Sequence, residues 1–318
     1  MAAVQAAPVF LDRDATIDKS CRLIAEAAGA GAGLIVFPEA FVPGYPDWVW
    51  RTTPWDDGPW YDRFLDQAVT LPSEATERLG KAARDAGAWV AMGINELDSA
   101  SRTVFNTLVY IGPDGAIAGR HRKLIPTGGE RTVWGCGDGS TLTVLDTAFG
   151  RLGGLLCWEN YMPLARAAMY AQRVDVYVAP TWDNADTWVA TLRHIAKEGR
   201  VFVIGTNSCL QSSDVPAGLP RRDDLYPDGS WLSKGNTTIV GPDGEIIAGP
   251  LLETEGILYA EIDAHRAHQS RREFDPVGHY ARPDVFQLDV DVRARLSATF
   301  RRPAQRPDNP GFDQAVTR

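Results

Sequence analysis

Short apolar runs that end in polar residues recur along the chain. They are rich in Val, Ile and Leu, which is typical of buried strands covered on both faces. The runs span residues 33–39, 89–96, 152–159, 174–182 and 201–207. Between them, apolar residues recur at helical spacing within residues 14–28, 73–86 and 163–173. Strands that alternate with helices predict an α/β domain, in which functional residues collect at the carboxyl ends of the strands.

Two segments of the chain resemble each other closely. Residues 106–117 have the sequence NTLVYIGPDGAI, and residues 236–246 have the sequence NTTIVGPDGEI. Each predicts a β-hairpin that turns at Gly-Pro-Asp-Gly. That tetrapeptide is a common turn, but the matching Asn-Thr before it and Ile after it favour two equivalent halves within one domain. A four-layer α–β–β–α sandwich, with two sheets face to face and helices outside, satisfies this pattern and is the predicted α/β fold.

The C-terminal part of the chain differs in character from the rest. No low-complexity linker divides the first 260 residues, whereas a polar stretch begins near residue 264 and a Pro-rich tail covers 302–318. We therefore predict one domain over residues 1–263. Residues 264–318 are predicted to form an extension that contacts other subunits of a homodimer or larger homo-oligomer.

Composition narrows the classes of partner and the compartment. The formal net charge of −9 argues against nucleic acid or an anionic membrane surface as a partner. The N-terminus lacks the basic and apolar regions of an export signal, and no apolar stretch is long enough to span a bilayer. Four cysteines lie far apart without a CxxC pair. We expect a cytoplasmic protein with reduced thiols.

Cys157 has the most distinctive surroundings of the four cysteines. It follows Gly153-Gly154-Leu155-Leu156, and glycines inside a strand often mark a close approach by another backbone. The polar residues after it indicate a turn, and Pro163 is a suitable first residue for a helix. A thiol at such a turn can act as a nucleophile with backbone N–H groups aimed at its reaction centre. From these residues alone, a buried structural cysteine explains the pattern equally well.

Two further residues are candidates for proton transfer and charge stabilisation. Glu39 ends the run GLIVFPE, where partial burial would raise the pKa of its carboxyl group and suit it to proton transfer. It could equally cap the strand or form an ion pair. Lys123 lies in the sequence GRHRKLIP, which taken alone fits a solvated basic segment, and Glu130 follows in a glycine-rich loop.

Three blocks of the sequence together resemble the nitrilase superfamily. They are FPEAFVPGYP at 37–46, HRKLIPTGGERTVWGCGDG at 121–139 and GGLLCWENYMPLAR at 153–166. The blocks occur in the order and at the separations typical of that superfamily, and the resemblance extends from about residue 4 to residue 263. The Cys-Trp-Glu-Asn run is similar to the nitrilase branch, as are the ERTVWG and GDGS elements. The loop differs from many bacterial nitrilases at Gly128-Gly129 and Cys136.

The resemblance implies a catalytic set of Glu39, Lys123 and Cys157, with Glu130 as an additional glutamate. In this set Glu39 accepts the thiol proton, Cys157 attacks the nitrile carbon, and Lys123 stabilises the developing charge with the Trp158 backbone N–H. Glu130 orients Lys123 or the substrate. The resemblance also implies the four-layer sandwich that the repeated hairpin predicts.

Aromatic residues near these blocks suggest an apolar substrate pocket. We predict that the substrate, a small nitrile, contacts Tyr45, Trp134, Trp158 and Trp182, although core packing also explains these side chains. No cofactor and no metal are expected, because no His, Cys and Asp cluster has ligand spacing. The pair His265 and His268 fits a solvated face.

Other functions use the same residues. An amidase or a carbamoyl-amide hydrolase would share the Glu-Lys-Cys set, and cyanide hydrolysis is a narrower alternative within the nitrilase branch. A non-catalytic scaffold built on a hydrolase fold belongs to a different class, and the intact Glu-Lys-Cys set speaks against it.

Overall fold

The computed structural model describes residues 1–295 and residue 298, and it shows two β-sheets packed between layers of helices. The predicted Pro-rich tail at 302–318 lies outside the described residues. The boundary at residue 263 stays a prediction.

The first sheet has six strands within the described residues, in the order β13-β1-β2-β3-β4-β5. Strands β1, β2 and β3 are parallel, and the remaining strands pair antiparallel. The strands are β1 (Ala2–Gln5), β2 (Leu34–Val36), β3 (Trp89–Leu97), β4 (Val104–Ile111), β5 (Ile117–Arg122) and β13 (Gly256–Tyr259).

The second sheet has seven strands within the described residues, in the order β10-β11-β9-β8-β7-β6, with β12 paired to β11. Strands β7, β8 and β9 are parallel. The strands are β6 (Val144–Thr147), β7 (Gly150–Gly154), β8 (Val176–Val178), β9 (Phe202–Gly205), β10 (Cys209–Gln211), β11 (Trp231–Val240) and β12 (Ile246–Leu252).

Helices cover the outer face of each sheet and one end of the sandwich. They are α1 (Arg13–Gly29), α2 (Gly58–Gln67), α3 (Glu74–Ala86), α4 (Pro163–Ala171), α5 (Asp186–Gly199), α6 (Arg222–Leu225) and α7 (Ala264–Ser270). Among the described residues, none of the helices combines the length and apolarity that crossing a bilayer requires.

The alternation of side chains along the strands produces three apolar layers. On β2, Leu34 and Val36 face the second sheet, whereas Ile35 packs with the helices outside the first sheet. On β8, Val176 and Val178 face the first sheet, and Tyr177 packs with α4 and α5. Successive strand residues point to opposite faces, so each fully apolar strand is buried on both sides. The layers are therefore helix, sheet, sheet, helix, as predicted.

The two halves of the molecule have equivalent topologies. Strands β13-β1-β2-β3-β4-β5 correspond in order and direction to β6-β7-β8-β9-β11-β12. The repeated sequences form the hairpins β4–β5 and β11–β12. In their turns, Gly115 and Gly244 have φ angles of 82° and 84°, and each N–H bonds three residues back to Gly112 or Gly241 at 2.9 Å. The prediction of two equivalent halves is confirmed.

The predicted strands and helices are present, but four of the five strands end before their apolar runs do, whereas β3 extends one residue beyond its run to Leu97. Strands β2 and β7 end at Val36 and Gly154, so Glu39 and Cys157 lie in the turns that follow them. The pattern of apolar runs did not predict α5, whose buried face includes Trp188. Because these strands end early, Glu39 and Cys157 lie in turns and take no part in the ladder of hydrogen bonds between strands.

Candidate active site

The candidate site lies where the carboxyl ends of both sets of parallel strands meet. Glu39 follows β2 of the first sheet, Cys157 follows β7 of the second sheet, and Lys123 directly follows β5. Strand β5 runs in the same direction as β3, because each pairs antiparallel with β4. All three residues therefore reach the same end of the sandwich, which is where α/β folds place their sites.

Lys123 forms the centre of a buried charge cluster. Its Nζ atom donates to Glu39 Oε1 and to Glu130 Oε2, both at 2.8 Å. The side chains of Lys123 and Glu39 are fully buried, and that of Glu130 is almost so. A buried charge is tolerated only when it is paired and hydrogen-bonded. The cluster satisfies this requirement by placing the ammonium group between two carboxylates.

The two glutamates differ in how many donors they receive. Glu130 accepts from the Thr127 N–H at 2.6 Å through Oε2 and from the Tyr45 hydroxyl at 2.6 Å through Oε1. Glu39 Oε1 also accepts from Asn106 Nδ2 at 2.8 Å. Glu39 Oε2 is buried without a partner among the described residues. Both oxygens of Glu130 therefore have donors, whereas Glu39 retains one oxygen that can take a proton.

Burial and the neighbouring charges shift the pKa values of the cluster. Burial raises the pKa of Glu39, although Lys123 acts in the opposite direction. Burial disfavours the charge of Lys123, but the Glu39 and Glu130 carboxylates and the Cys157 sulfur together outweigh burial, so the pKa of the lysine is raised. Burial and the Glu39 carboxylate both raise the pKa of the Cys157 thiol, which Lys123 partly offsets. Lys123 is therefore charged at neutral pH, and the thiol keeps its proton until an acceptor takes it.

Cys157 sits at a sharp turn that exposes its side chain to the site. Its φ angle of 49° lies in the left-handed region that non-glycine residues rarely adopt. The Cys157 N–H donates to Pro180 O at 2.8 Å, and the Asn160 side chain donates to Cys157 O at 2.9 Å. A Cβ atom at Gly154 would lie 1.9 Å from Val178 O. Gly154 therefore permits the close approach of β7 and β8 that the sequence predicted. Hydrogen bonds at both the N–H and the carbonyl oxygen of Cys157 fix the turn.

A third buried carboxylate connects the segments that carry Lys123 and Cys157. Glu159 accepts from the Leu124 N–H at 2.6 Å and from the Leu156 N–H at 2.8 Å, next to each catalytic candidate. Its Oε2 also contacts His121 Nε2 at 2.9 Å. Burial opposes a charged His121, but the charge and hydrogen bond of the Glu159 carboxylate, together with the hydrogen bond to Thr141 O, outweigh burial and raise the pKa of the imidazole. The sequence reasoning missed this contact, although both residues lie within the blocks that it singled out.

A cavity of about 310 Å³ opens beside Cys157. Its walls combine aromatic side chains with a polar rim and include Tyr45, Trp50, Thr127, Glu130, Cys157, Trp158, Trp182, Asp183, Asn184 and Ala185. Tyr45 and Trp182 stack with their ring centroids 4.4 Å apart. Trp158 is half-exposed and donates through Nε1 to Asp183 Oδ2 at 2.9 Å. The cavity is large enough for a small organic molecule and mostly apolar.

The predicted substrate-contacting residues separate into two groups. Tyr45, Trp158 and Trp182 line the cavity. Trp134 instead lies behind Tyr45, with ring centroids 5.5 Å apart, and donates to Asn95 Oδ1 at 2.9 Å. Its ring also lies 5.6 Å from Lys123 Nζ. Trp134 therefore packs around the charge cluster rather than on the cavity wall.

Trp50 is a wall residue that the sequence reasoning did not identify. Its Nε1 donates to the Tyr45 hydroxyl at 3.0 Å. A Cβ atom on Gly128 would lie 2.9 Å from the Trp50 ring, and one on Gly129 would lie 2.9 Å from Val49 O. The two glycines in which the loop differs from many bacterial nitrilases thus leave room for this indole.

The described residues contain no group of three or more His, Cys, Asp or Glu side chains that could hold a metal ion. His268 contacts Asp175 Oδ1 at 3.1 Å and is otherwise largely exposed. Cys136 is exposed, Cys21 is partly buried, and Cys209 is buried.

Fold and site together define an α–β–β–α sandwich with a buried thiol beside one lysine and two glutamates. The family model for carbon–nitrogen hydrolases matches residues 1–272. The chain belongs to this family.

Sequence relatives and solved structures agree with this assignment. The chain is 45% identical over 306 residues to an aliphatic nitrilase from Sinorhizobium fredii, with 94% of this chain and 98% of the relative covered. It is 39% identical to a bifunctional nitrilase/nitrile hydratase from Nicotiana tabacum, with 93% and 87% covered. The structure of Saccharomyces cerevisiae Nit3, a member of the nitrilase superfamily, gives a TM-score of 0.70 at 23% identity and covers 88% and 95% of the two chains. At this low identity the likeness to Nit3 concerns the fold alone.

Proposed function

We propose that the protein is a nitrilase that converts a small nitrile and two molecules of water into a carboxylic acid and ammonia. The unpaired Glu39 Oε2 atom, in the same buried cluster as the Cys157 thiol, is the observation that carries the proposal. It provides a proton acceptor for a nucleophile whose thiol is otherwise held neutral. The sequence relatives that are named as nitrilases support a nitrile as the substrate.

The first step transfers the thiol proton and forms the covalent bond. Glu39 takes the proton from Cys157, and the thiolate attacks the nitrile carbon. The nitrile nitrogen then receives that proton, giving a neutral thioimidate. Proton transfer from Cys157 to Glu39 moves a negative charge within the cluster and creates no new one. A step that conserves net charge is the one that a buried, water-poor site can accommodate.

Lys123 stabilises the charge that develops on nitrogen. Its ammonium group has three N–H donors, and two of them bond to Glu39 and Glu130. The third is available for the substrate nitrogen, and its low-dielectric surroundings strengthen that contact. Glu130 acts by orienting the lysine rather than by taking a proton. Both of its oxygens already accept hydrogen bonds, from Lys123, Tyr45 and Thr127.

Two water molecules complete the reaction. Glu39 activates the first water, which adds to the thioimidate carbon, and ammonia leaves to give a thioester. The second water attacks the thioester, releasing the acid and restoring the Cys157 thiol. If the tetrahedral intermediate expels the thiolate instead of ammonia, the product is an amide. The acid-to-amide ratio therefore measures how well the site protonates the leaving nitrogen.

The cavity favours uncharged substrates of modest size. Its volume is about 310 Å³, aromatic side chains form most of its wall, and the Asp183 carboxylate lies at its rim. An anionic substrate would meet that carboxylate and the glutamates behind it, which disfavours its binding. We therefore propose neutral aliphatic or small aromatic nitriles as the substrate class.

Ammonia release from nitriles tests the proposed activity. The wild-type protein should release ammonia from members of an aliphatic, aryl and arylacetonitrile series, and Cys157→Ala should abolish this release while its circular dichroism stays unchanged. Cys136→Ala, at an exposed cysteine, is the matched control and should retain activity. Parallel assays with the corresponding amides and with cyanide separate the alternatives. Ammonia from amides alone would identify an amidase and overturn the proposal.

The proposal extends to assembly and compartment. We infer a homodimer or larger homo-oligomer in the cytoplasm, with the extension after residue 263 at the contact. Exposed apolar side chains in this extension, among them Tyr280, Val285, Phe286 and Val292, support such a contact. Light scattering tests it, because a monomer at micromolar concentration would contradict the assignment.

A further inference from the structure

Thr181 occupies a position next to the nucleophile that the mechanism above does not use. It follows Ala179-Pro180 after β8, the strand beside β7 in the second sheet. Because the two strands are parallel, the turns after them meet at the same end of the sheet. Cys157 N–H bonds to Pro180 O, and Thr181 N–H bonds to Thr206 O at 2.9 Å. The backbone thus fixes Thr181 against the Cys157 turn.

The Thr181 hydroxyl contacts the sulfur directly. Oγ1 lies 3.2 Å from Cys157 Sγ, and Thr181 is 1% exposed. The same oxygen accepts the Asp183 N–H at 2.9 Å. A hydroxyl group whose lone pair receives an N–H has its own proton free to donate elsewhere. Among the described residues, the sulfur is the acceptor within reach of that proton.

We propose that Thr181 is a further catalytic residue, whose hydroxyl donates a hydrogen bond to Cys157 Sγ and stabilises the thiolate each time it forms. The proposal rests on Cys157 being the nucleophile of the proposed function. The thiolate forms twice per turnover, before attack on the nitrile and when the thioester is hydrolysed.

The electrostatics of the site explain why such a donor is needed. Burial and the Glu39 carboxylate disfavour a negative charge on sulfur, while Lys123 and the hydrogen bond from Thr181 favour it. A hydrogen bond to an ionised acceptor is about twice as strong as one between neutral groups. The Thr181 contact is therefore stronger with the thiolate than with the thiol, which is the differential binding that lowers a barrier.

Two substitutions separate the hydroxyl from the rest of the side chain. Thr181→Val keeps the branched shape and removes the donor, whereas Thr181→Ser keeps the donor and removes the methyl group. Thr16→Val is the matched control, because Thr16 is fully buried at the start of α1 and its hydroxyl has Asp12 O and Val9 O as acceptors rather than any residue of the site. It reports what the loss of a buried hydroxyl does to the fold alone.

Alkylation of Cys157 by iodoacetamide across pH is the decisive measurement, followed on the Cys157 peptide by mass spectrometry. This rate reports the thiolate population without requiring a nitrile, and exposed Cys136 is an internal reference. In Thr181→Val, the rate of Cys157 alkylation relative to Cys136 should fall by about tenfold at each pH below the thiol pKa, and kcat for ammonia release should fall by about tenfold with little change in KM. Thr181→Ser keeps the donor, so its alkylation rate and its kcat should both stay within about threefold of the wild-type values.

The outcomes distinguish this proposal from the proposed function. An unchanged alkylation profile in Thr181→Val, or an equal loss in Thr181→Ser and Thr181→Val, overturns the role of Thr181. If the wild-type protein turns over no nitrile but Cys157 alkylation is still about tenfold slower in Thr181→Val, the nitrilase proposal fails and the Thr181 contact stands.

Discussion

The inner end of the site and its mouth are built in different ways. At the inner end, Glu39, Lys123 and Glu130 are buried, and each makes two or more hydrogen bonds. At the mouth, Trp50 and Trp158 are each 48% exposed and each donates one hydrogen bond. A densely bonded buried cluster has one low-energy arrangement, whereas half-exposed indoles can shift at little cost. We infer that the inner end sets the chemistry and that the mouth sets the range of substrates.

Lys123→Arg should produce the largest loss at the inner end. The guanidinium group is larger than the ammonium group and cannot occupy the buried position between two carboxylates without displacing them. We expect kcat for ammonia release to fall by about 10³-fold, the upper range for losing one donor to a developing charge. Lys234→Arg, in an exposed ion pair with Glu253, is the control. Near-normal turnover by Lys123→Arg would mean that the inner cluster is structural.

Acid pH should suppress activity through the same cluster. Glu39 must be deprotonated to accept the thiol proton, and burial raises its pKa. Activity is therefore present above the raised pKa and is lost as pH falls through it. We expect kcat/KM to decline by about tenfold per pH unit, beginning above the ordinary glutamate value of about 4.3. Thermal melts at each pH show that the fold persists. An acid limb at or below that ordinary value would argue against Glu39 as the base.

Tyr45→Phe tests the link between the two regions. The Tyr45 hydroxyl donates to Glu130 at the inner end and accepts from the Trp50 indole at the mouth. Removing it leaves a buried carboxylate oxygen short of a donor, which costs about 1–3 kcal/mol. We expect kcat to fall by about tenfold, with a parallel change in substrate preference. Tyr161→Phe, at a half-exposed tyrosine, should have little effect. A rise in KM with an unchanged kcat would indicate that Tyr45 contributes only to substrate binding at the mouth.

Trp50→Ala should have the smallest effect on chemistry and the clearest effect on selectivity. The substitution enlarges the cavity above Gly128 and Gly129 without touching the charge cluster. Turnover of a short nitrile should change by less than about threefold, while kcat/KM for a nitrile longer by one methylene should rise by about tenfold, since one methylene contributes about 1–3 kcal/mol in an apolar pocket. Equal losses for short and long nitriles would show that Trp50 supports the catalytic groups instead.

The same two regions differ in how far the sequence predicts them. Short continuous apolar runs and turn residues are local signals, so the strands before Glu39 and Cys157, the helix at Pro163 and the paired hairpins follow from the chain itself. Lys123 is ambiguous from its local sequence, and its predicted role comes from the resemblance to a known family. The Trp50–Gly128, Thr181–Cys157 and Glu159–His121 contacts join residues distant in the chain, and no local pattern encodes them. Thr181 is nevertheless the third residue after its strand, as Glu39 is, and the end of an apolar run is the feature that makes Glu39 a candidate.

Trapping the covalent intermediate tests the central claim most directly. Wild-type protein quenched in acid during turnover of a nitrile should carry one acyl or imidoyl group, and peptide mapping should place it on Cys157. Cys157→Ala should carry none and release no ammonia. An adduct on Cys21, Cys136 or Cys209, or ammonia release by Cys157→Ala at the wild-type rate, would contradict the assignment of Cys157 as the nucleophile.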